Sequence, residues 1–402
     1  MNRLLSRSLA FPAALLVLVA VSLTAPAAMA RTAGPDIVLA KSIPLESKIL
    51  KRPVTILVWT PPGYAQSSRS YPVLYDLNTF FCFTYDCGTV EMLARTLDIP
   101  SMIVVGVPQL NMGYVPTPYE ERGDTLAGAD LSIAFLKEEV IPLVERTYRT
   151  NALRLLYGHS VGGLFTMYTM FNYPDLFAGF LAGSPWFQNN DQYWLKNIER
   201  MAKERNLEDK YLFMTLGKGE QKITLDTYAG LEAWMKAQPL PGLKWKGAVV
   251  EGDHGNMVGR TIYDGLLFIF DGWKIPGEVV MGADIDAIDA SVRRTEAQWG
   301  SFGIDASIIL PEANINSAGY ALLQRKEYDK AIRAFQYNVK RFPKSFNAHD
   351  SLAEAYLTTG DRANAIKHYK LAVDLNPGAT ENDKRILENS KNKLRELGEV
   401  VE

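Results

Sequence analysis

The feature that most restricts this chain is a serine set between glycines where a strand pattern turns directly into a helix pattern. Arg154-Leu155-Leu156-Tyr157 is a short, mostly apolar run, Gly158-His159-Ser160-Val161-Gly162-Gly163 follows it, and Leu164, Phe165, Tyr168 and Phe171 continue at helical spacing until Pro174. A side chain held on so tight a turn needs neighbours without bulk, because a Cβ beside it would strike the adjoining strand or helix. The helix that starts there also aims its first N–H groups at the serine, favouring negative charge that develops beside it. A G-x-S-x-G turn of this kind belongs where a buried strand runs straight into a packed helix, the repeating unit of a layered α/β sheet.

The sequence from Ile37 to about Trp273 carries that pattern. Residues 54–59 read as a strand ending at Pro61-Pro62-Gly63, and residues 71–77 and 102–107 are short apolar runs of the kind that form buried parallel strands. Between them lie helical patterns, notably residues 129–148, where Leu131, Phe135, Leu136, Val140 and Leu143 recur at helical spacing. The expected class is α/β, with a mostly parallel central sheet covered by helices on both faces. Beyond about Ala283 the strands stop and an internal repeat begins. Pro343 and Pro377 are related by the same offset that places Gly319 on Ala353, Ala331 on Ala365 and Phe335 on Tyr369. Small residues where two helices approach and an aromatic in the second helix resemble the tetratricopeptide repeat. Residues 312–343 and 344–377 would be two repeats, and 380–397 a polar capping helix. So few repeats cannot bury a core alone, so this small all-α region is expected to dock on the α/β part, through residues 286–302.

At the N-terminus, Arg3 and Arg7 precede an almost unbroken apolar run from residue 9 to residue 23, and Ala28-Met29-Ala30 has the small residues of a cleavage site. This reads as a secretory signal peptide over residues 1–30, implying a periplasmic or secreted protein with no stable membrane anchor after cleavage. The 43 Lys+Arg and 45 Asp+Glu are mixed along the chain, which argues against a nucleic-acid partner or an electrostatic attachment to membranes. An oxidising compartment would favour a local disulfide between Cys82 and Cys87 that braces one loop; two small buried thiols are the alternative.

A serine is a weak nucleophile unless a base lies within hydrogen-bond reach, usually a histidine. There are four histidines. His159 adjoins Ser160 and should turn its ring away from the hydroxyl, and His349 and His368 lie in the repeats as packing or surface residues. His254, in Glu251-Gly252-Asp253-His254-Gly255-Asn256 after a strand candidate at 247–250, is the expected base. The orienting carboxylate should follow a strand between the two in chain order. Glu220, after the strand candidate at 211–216 and the turn Gly217-Lys218-Gly219, is the first choice; Asp226 is second, and Asp253 is disfavoured by adjacency to His254. The oxyanion hole should combine the N–H of Val161 with that of Asn78 or Thr79, in the loop after residues 71–77. No histidine pair has metal-ligand spacing, the two cysteines cannot make a four-thiolate site, and Gly217-Lys218-Gly219 is not a phosphate loop, so no metal or cofactor is expected.

With those elements placed, the chain from about Ser47 to Trp273 resembles the putative-esterase family of α/β hydrolases, which includes siderophore esterases, esterase D and feruloyl esterases. The resemblance is carried by Tyr71-Pro72-Val73-Leu74-Tyr75, Phe135-Leu136-Lys137-Glu138-Glu139-Val140-Ile141-Pro142, Tyr148-Arg149-Thr150, Tyr157-Gly158-His159-Ser160-Val161-Gly162-Gly163-Leu164, Pro174-Asp175-Leu176-Phe177, Ala182-Gly183-Ser184-Pro185 and Asp253-His254. It implies an exported hydrolase cleaving a small-molecule carboxylic ester through an acyl-enzyme, siderophore-type or feruloyl-type, with Ser160, His254 and Glu220 as nucleophile, base and acid. Some relatives similarly append tetratricopeptide-like repeats. Two departures stand out: Asp76-Leu77-Asn78-Thr79 where relatives often have Leu-Asp-Gly, and Ser184-Pro185-Trp186-Phe187 in place of Ser-Pro-Ser. Arg122, in a segment that borders the active site in relatives, could pair with an acidic or catechol-like group, and Trp186, Phe187 and Phe80 could form an aromatic wall. The expected division is a signal at 1–30, an α/β-hydrolase domain at 31–280, a helical connector at 281–305 and the repeat domain at 306–402. Acyl transfer by the same triad, or a non-catalytic protein binding a partner or a second copy through the repeats, are the competing expectations.

Overall fold

The computed structural model describes residues 38–108, 128–188, 198, 206–238, 240–305 and 308–401. Residues 1–30, read above as a processing signal, lie outside them, and Leu39–Glu402 forms one compact unit. Among the described residues no helix is long and apolar enough to cross a membrane.

The apolar runs become the strands of one sheet: β1 (Lys41–Ser47), β2 (Arg52–Trp59), β3 (Tyr71–Asp76), β4 (Ile103–Gly106), β5 (Thr150–His159), β6 (Gly179–Gly183), β7 (Lys210–Gly217) and β8 (Leu243–Val250). Their spatial order is β1-β2-β4-β3-β5-β6-β7-β8; β2 pairs antiparallel with both β1 and β4, and every other pair is parallel. Burial follows from that order. The central strands β3, β4 and β6 are buried at every residue, whereas the edge strand β1 alternates, as a sheet edge with one covered face must. The connections from β3 to β4 and onward to β5 leave opposite sides of β3, so a crevice opens at the carboxyl ends of β3 and β5, where ligands collect in open α/β sheets.

Helices cover both faces. α1 (Phe83–Arg95) lies on one face; on the other lies a long helix built of α2 (Ala129–Ala134), a π-helical turn (Phe135–Val140) and α3 (Ile141–Thr147), together with α4 (Val161–Asn172) and α5 (Lys222–Ala237). The π turn widens the helix by about one residue per turn and brings Phe135 and Val140 onto the same buried face. α6 (Val258–Ile269) packs beside α1. The strand alternation divides the core accordingly: Val73 and Tyr75 face the α4 side, and Leu74 faces the α1 side. This is the α/β-hydrolase fold.

The remaining helices are α7 (Gly277–Met281), α8 (Ile285–Trp299), α9 (Glu312–Gln324), α10 (Tyr328–Arg341), α11 (Phe346–Thr358), α12 (Arg362–Leu375) and α13 (Glu381–Glu396). α9 and α10 form one hairpin, α11 and α12 another. Ala331, Ala353 and Ala365 are fully buried, as close helix packing requires, and α13 opens with a reciprocal Thr380–Asp383 capping box. This region shares a core with the α1 face of the sheet. Trp299 at the end of α8 stacks on Tyr211 at 5.3 Å between ring centroids, Gln298 donates to the Tyr211 hydroxyl at 2.9 Å, and Ile309, Leu310 and Ile315 join the same cluster.

Cys82 and Cys87 are both free thiols, in place of the expected disulfide. The reason is local: Cys82 is the residue before α1 and Cys87 lies within it. Five residues of helix rise about 7.5 Å, beyond the Cα separation a disulfide spans. Burial and the neighbouring Asp86 and Asp76 push both thiols up, which favours the protonated form.

Candidate active site

The parallel strands all present their carboxyl ends to one edge of the sheet, and the loops leaving β3, β5, β6, β7 and β8 converge there. Ser160 follows β5 with φ 56° and ψ −115°, a strained conformation for a non-glycine residue, and α4 begins at the next residue. The surrounding glycines are sterically required. A Cβ at Gly158 would lie 2.2 Å from the carbonyl oxygen of Gly162, and one at Gly163 would lie 2.7 Å from that of Gly183.

His254, in the loop between β8 and α6, reaches Ser160: its Nε2 is 3.0 Å from Oγ. Its Nδ1 is 2.7 Å from Oε1 of Glu220, in the turn after β7. A carboxylate can only accept, so Nδ1 carries the proton and Nε2 is left to accept from the serine hydroxyl. Glu220 is nearly buried, with its side chain 6% exposed, while His254 is 49% exposed and open to a ligand. The other acids are engaged elsewhere. Asp226 pairs with Lys222 one turn away at 2.5 Å, and Asp253 caps its own turn, accepting from the N–H groups of Gly255 and Asn256 at 3.0 Å each.

Three features of the site were not legible in the sequence. Ser184, buried after β6, donates from its hydroxyl to Glu220 and lies 3.0 Å from Nδ1 of His254. The hydroxyl between a strand and Pro185 was the available signal. His159, whose ring makes no hydrogen bond to the Ser160 hydroxyl among the described residues, lines the same cavity as Ser160 and packs 4.7 Å from the ring of His254. Burial, reinforced by the neighbouring His254, pushes it down to about 4, so it is neutral. Beneath the β3 loop, Asp76 and Asp86 are fully buried side by side; burial raises Asp76 to about 6, and burial and Asp76 together raise Asp86.

The backbone N–H of Asn78 is not available to an oxyanion, correcting that expectation: it donates to Oδ1 of Asp76 at 2.7 Å. The Asn78 side chain is fixed instead. Its Oδ1 accepts from the N–H of His159 at 2.9 Å, which defines the amide orientation, and its buried Nδ2 lies close enough to the Asp76 carboxyl to favour the charged form of that group. Thr79 turns its hydroxyl to the carbonyl of Val107 at 2.7 Å. Val161 is the first residue of α4, where N–H groups have no intrahelical acceptor.

Ser160 and His254 lie between two clefts. One, of about 380 Å³, has Leu77, Asn78, Phe80 and Phe81 as walls, with Phe80 82% and Phe81 65% exposed. The other, of about 920 Å³, is bordered by Trp186, Gln188, Ile223 and Thr224. Trp186, 37% exposed, also donates its N–H to the carbonyl of Ser160 at 3.1 Å. Phe187, expected in an aromatic wall, is instead buried in the core on the α4 side of the sheet. Arg122 lies outside the described residues. Among the described residues no group of three or more His, Cys, Asp or Glu could hold a metal ion.

Comparison with known proteins agrees with this architecture. The ferri-bacillibactin esterase BesA of Bacillus subtilis is 31% identical over 183 residues, covering 40% of this chain and 62% of that protein. The uncharacterized protein YbbA of the same organism is 25% identical over 143 residues, covering 33% of this chain and 57% of that protein. The chain thus spans less than two thirds of the length of these curated relatives. The crystal structure of an IroE-like serine hydrolase from Shewanella oneidensis superposes with a TM-score of 0.60 at 22% identity, over 75% of this chain and 98% of that one, a likeness of fold. The family described as Putative esterase matches residues 47–254, more than half of the sequence and the stretch from the last residue of β1 to His254, and the chain belongs to that family.

Proposed function

We propose that the protein is a carboxylic-ester hydrolase that works through an acyl-enzyme on Ser160. The observation that carries this reading is the continuous hydrogen-bonded line from Ser160 through His254 to Glu220 at the carboxyl edge of the sheet, with separations of 3.0 and 2.7 Å. In the first half-reaction Ser160 Oγ attacks the ester carbonyl as Nε2 of His254 takes its proton, and Glu220 holds the imidazolium through Nδ1–H. The oxyanion is met by the N–H of Val161, at the start of α4, and by Nδ2 of Asn78, on the wall of the smaller cleft. Collapse expels the alcohol, protonated by Nε2. Water, deprotonated by the same nitrogen, then releases the acid and restores the serine.

The walls favour an ester with an aromatic or broad apolar group. Phe80 and Phe81 bound the smaller cleft and Trp186 the larger, and such rings gain most by stacking on a flat group. Family membership, and the name of the 31% identical relative, support a siderophore-type or feruloyl-type ester. The basic start, apolar run and Ala28-Met29-Ala30 support an exported enzyme.

The test is to label the purified protein with a fluorophosphonate, locate the label, and measure hydrolysis of aryl, feruloyl and catechol-amide serine esters. Labelling confined to Ser160 and turnover of an aromatic ester are expected. An unlabelled protein with no esterase activity would sink the reading, leaving the fold as a binding scaffold.

A further inference from the structure

Ser184 does not belong to the Ser160–His254–Glu220 line, yet it touches two of its members. Its hydroxyl donates to Oε1 of Glu220, the same oxygen that accepts from His254, and lies 3.0 Å from Nδ1 of His254. Ser184 is 1% exposed, so its hydroxyl is shut off from bulk solvent. The backbone is held with comparable care: Ser184 sits at φ 40°, uncommon for a non-glycine residue, directly before Pro185, and its N–H is fixed to the carbonyl of Thr215 on β7 at 2.8 Å. A strained residue survives where the surroundings over-determine it, and such strain gathers at functional sites.

We infer that Ser184 is a positioning residue, whose hydroxyl clamps Glu220 and gives Nδ1–H of His254 a second acceptor when the imidazole becomes charged. The proton positions require this sense. Glu220 can only accept, so the Ser184 O–H points to it, and the serine lone pairs remain for Nδ1–H as the minor branch of a three-centre bond. The clamp does its work when the imidazolium forms, which places its effect on the chemical step rather than on substrate binding. Asp253, the other nearby acid, is turned to its own loop amides, and the neighbouring imidazole of His159 is neutral, so neither substitutes for the hydroxyl.

This inference rests on the esterase reading, and the test separates the two. The native protein and Ser160→Ala are first compared for fluorophosphonate labelling and ester turnover; absence of both in the native protein overturns the reading itself. With that activity in hand, Ser184→Ala and Ser184→Gly are assayed for kcat, KM, labelling rate and melting temperature. Glycine relaxes the φ 40° backbone and alanine keeps it, so an effect common to both belongs to the hydroxyl. The expected result is a fall of roughly tenfold in kcat and in labelling rate for both variants, with KM unchanged, as for one lost hydrogen bond to a charged group. Unchanged kcat in both variants overturns the inference. So does a loss confined to alanine that tracks its melting temperature, which would assign Ser184 a purely structural part.

Discussion

Two pairs of histidines lie in ring contact in this protein, and only one of them carries the makings of catalysis. His159 and His254 meet at 4.7 Å on the carboxyl edge of the sheet; His349 of α11 and His368 of α12 stack at 5.2 Å in the second helical hairpin. In the helical pair, Nε2 of His349 must donate to the carbonyl of Pro343, so its Nδ1 accepts from Nδ1–H of His368 at 2.9 Å. That network ends on a main-chain carbonyl and engages both nitrogens of His349, so the lone pair it leaves, on Nε2 of His368, is backed by a neutral imidazole rather than by a carboxylate. His254 is wired the other way. A carboxylate holds its Nδ1–H, which frees Nε2 to face a strained serine over an open cleft. The lesson is that proximity of imidazoles says little; the partner of the far nitrogen decides whether the near one is a base.

The comparison can be broken most decisively at its centre. Ser160→Ala or His254→Ala should lower ester turnover by about a millionfold if the residues act as a unit, whereas His349→Ala should leave kcat unchanged and cost on the order of 1–2 kcal/mol in stability through a lost buried hydrogen bond. Steady-state kinetics and denaturant unfolding of the same variants check both halves, and a helical-pair variant that loses turnover while folded would erase the distinction. Glu220→Gln removes the charge that holds His254 while keeping the shape, and should lower kcat by roughly 10⁴-fold. Asn78→Ala should cost about 10²–10³-fold in kcat with little change in KM, since the amide is required only when the oxyanion forms. An equal rise in KM would instead make Asn78 a ground-state contact.

The smallest effect is one the two pairs share. Burial first, and the partner histidine second, push His159 and His368 down to about 4 from the ordinary imidazole value of 6.5. The unfolded chain therefore takes up protons below about 6.5 that the folded chain refuses, so the stability they contribute is present above that pH and lost as pH falls toward 4. Asp76, raised to about 6, acts in the opposite sense between 3.8 and 6 and blunts the net slope. Thermal unfolding from pH 7 to 4 should show His368→Gln less acid-sensitive than the native protein; equal slopes would show that the helical pair does not resist protonation.

Much of this site was legible because its members sit where chain order and strand pattern must put them. Ser160 lies at a strand-to-helix turn with two glycines that cannot be larger, and Glu220 and His254 each follow a strand by a few residues. The strands β3, β4 and β7 stand out as apolar runs; β6 does not, because it is only five residues with glycine at both ends. Ser184 was overlooked for the same reason. The Cys82–Cys87 disulfide failed as an expectation because helix α1 begins between them, and a local helix start overrides a spacing that suits a loop.

By itself, the order of residues determined the layered α/β class, the helical tail and the narrow set of side chains able to do nucleophilic chemistry. Those properties depend on local periodicity, on turn sterics and on chain order along parallel strands. Only the tertiary structure decided which hydroxyl clamps Glu220, that the main-chain N–H of Asn78 is spent on Asp76, and which imidazole nitrogen is free. Those are questions of a few tenths of an ångström between residues distant in sequence, and a hydrogen bond either has that geometry or does not exist.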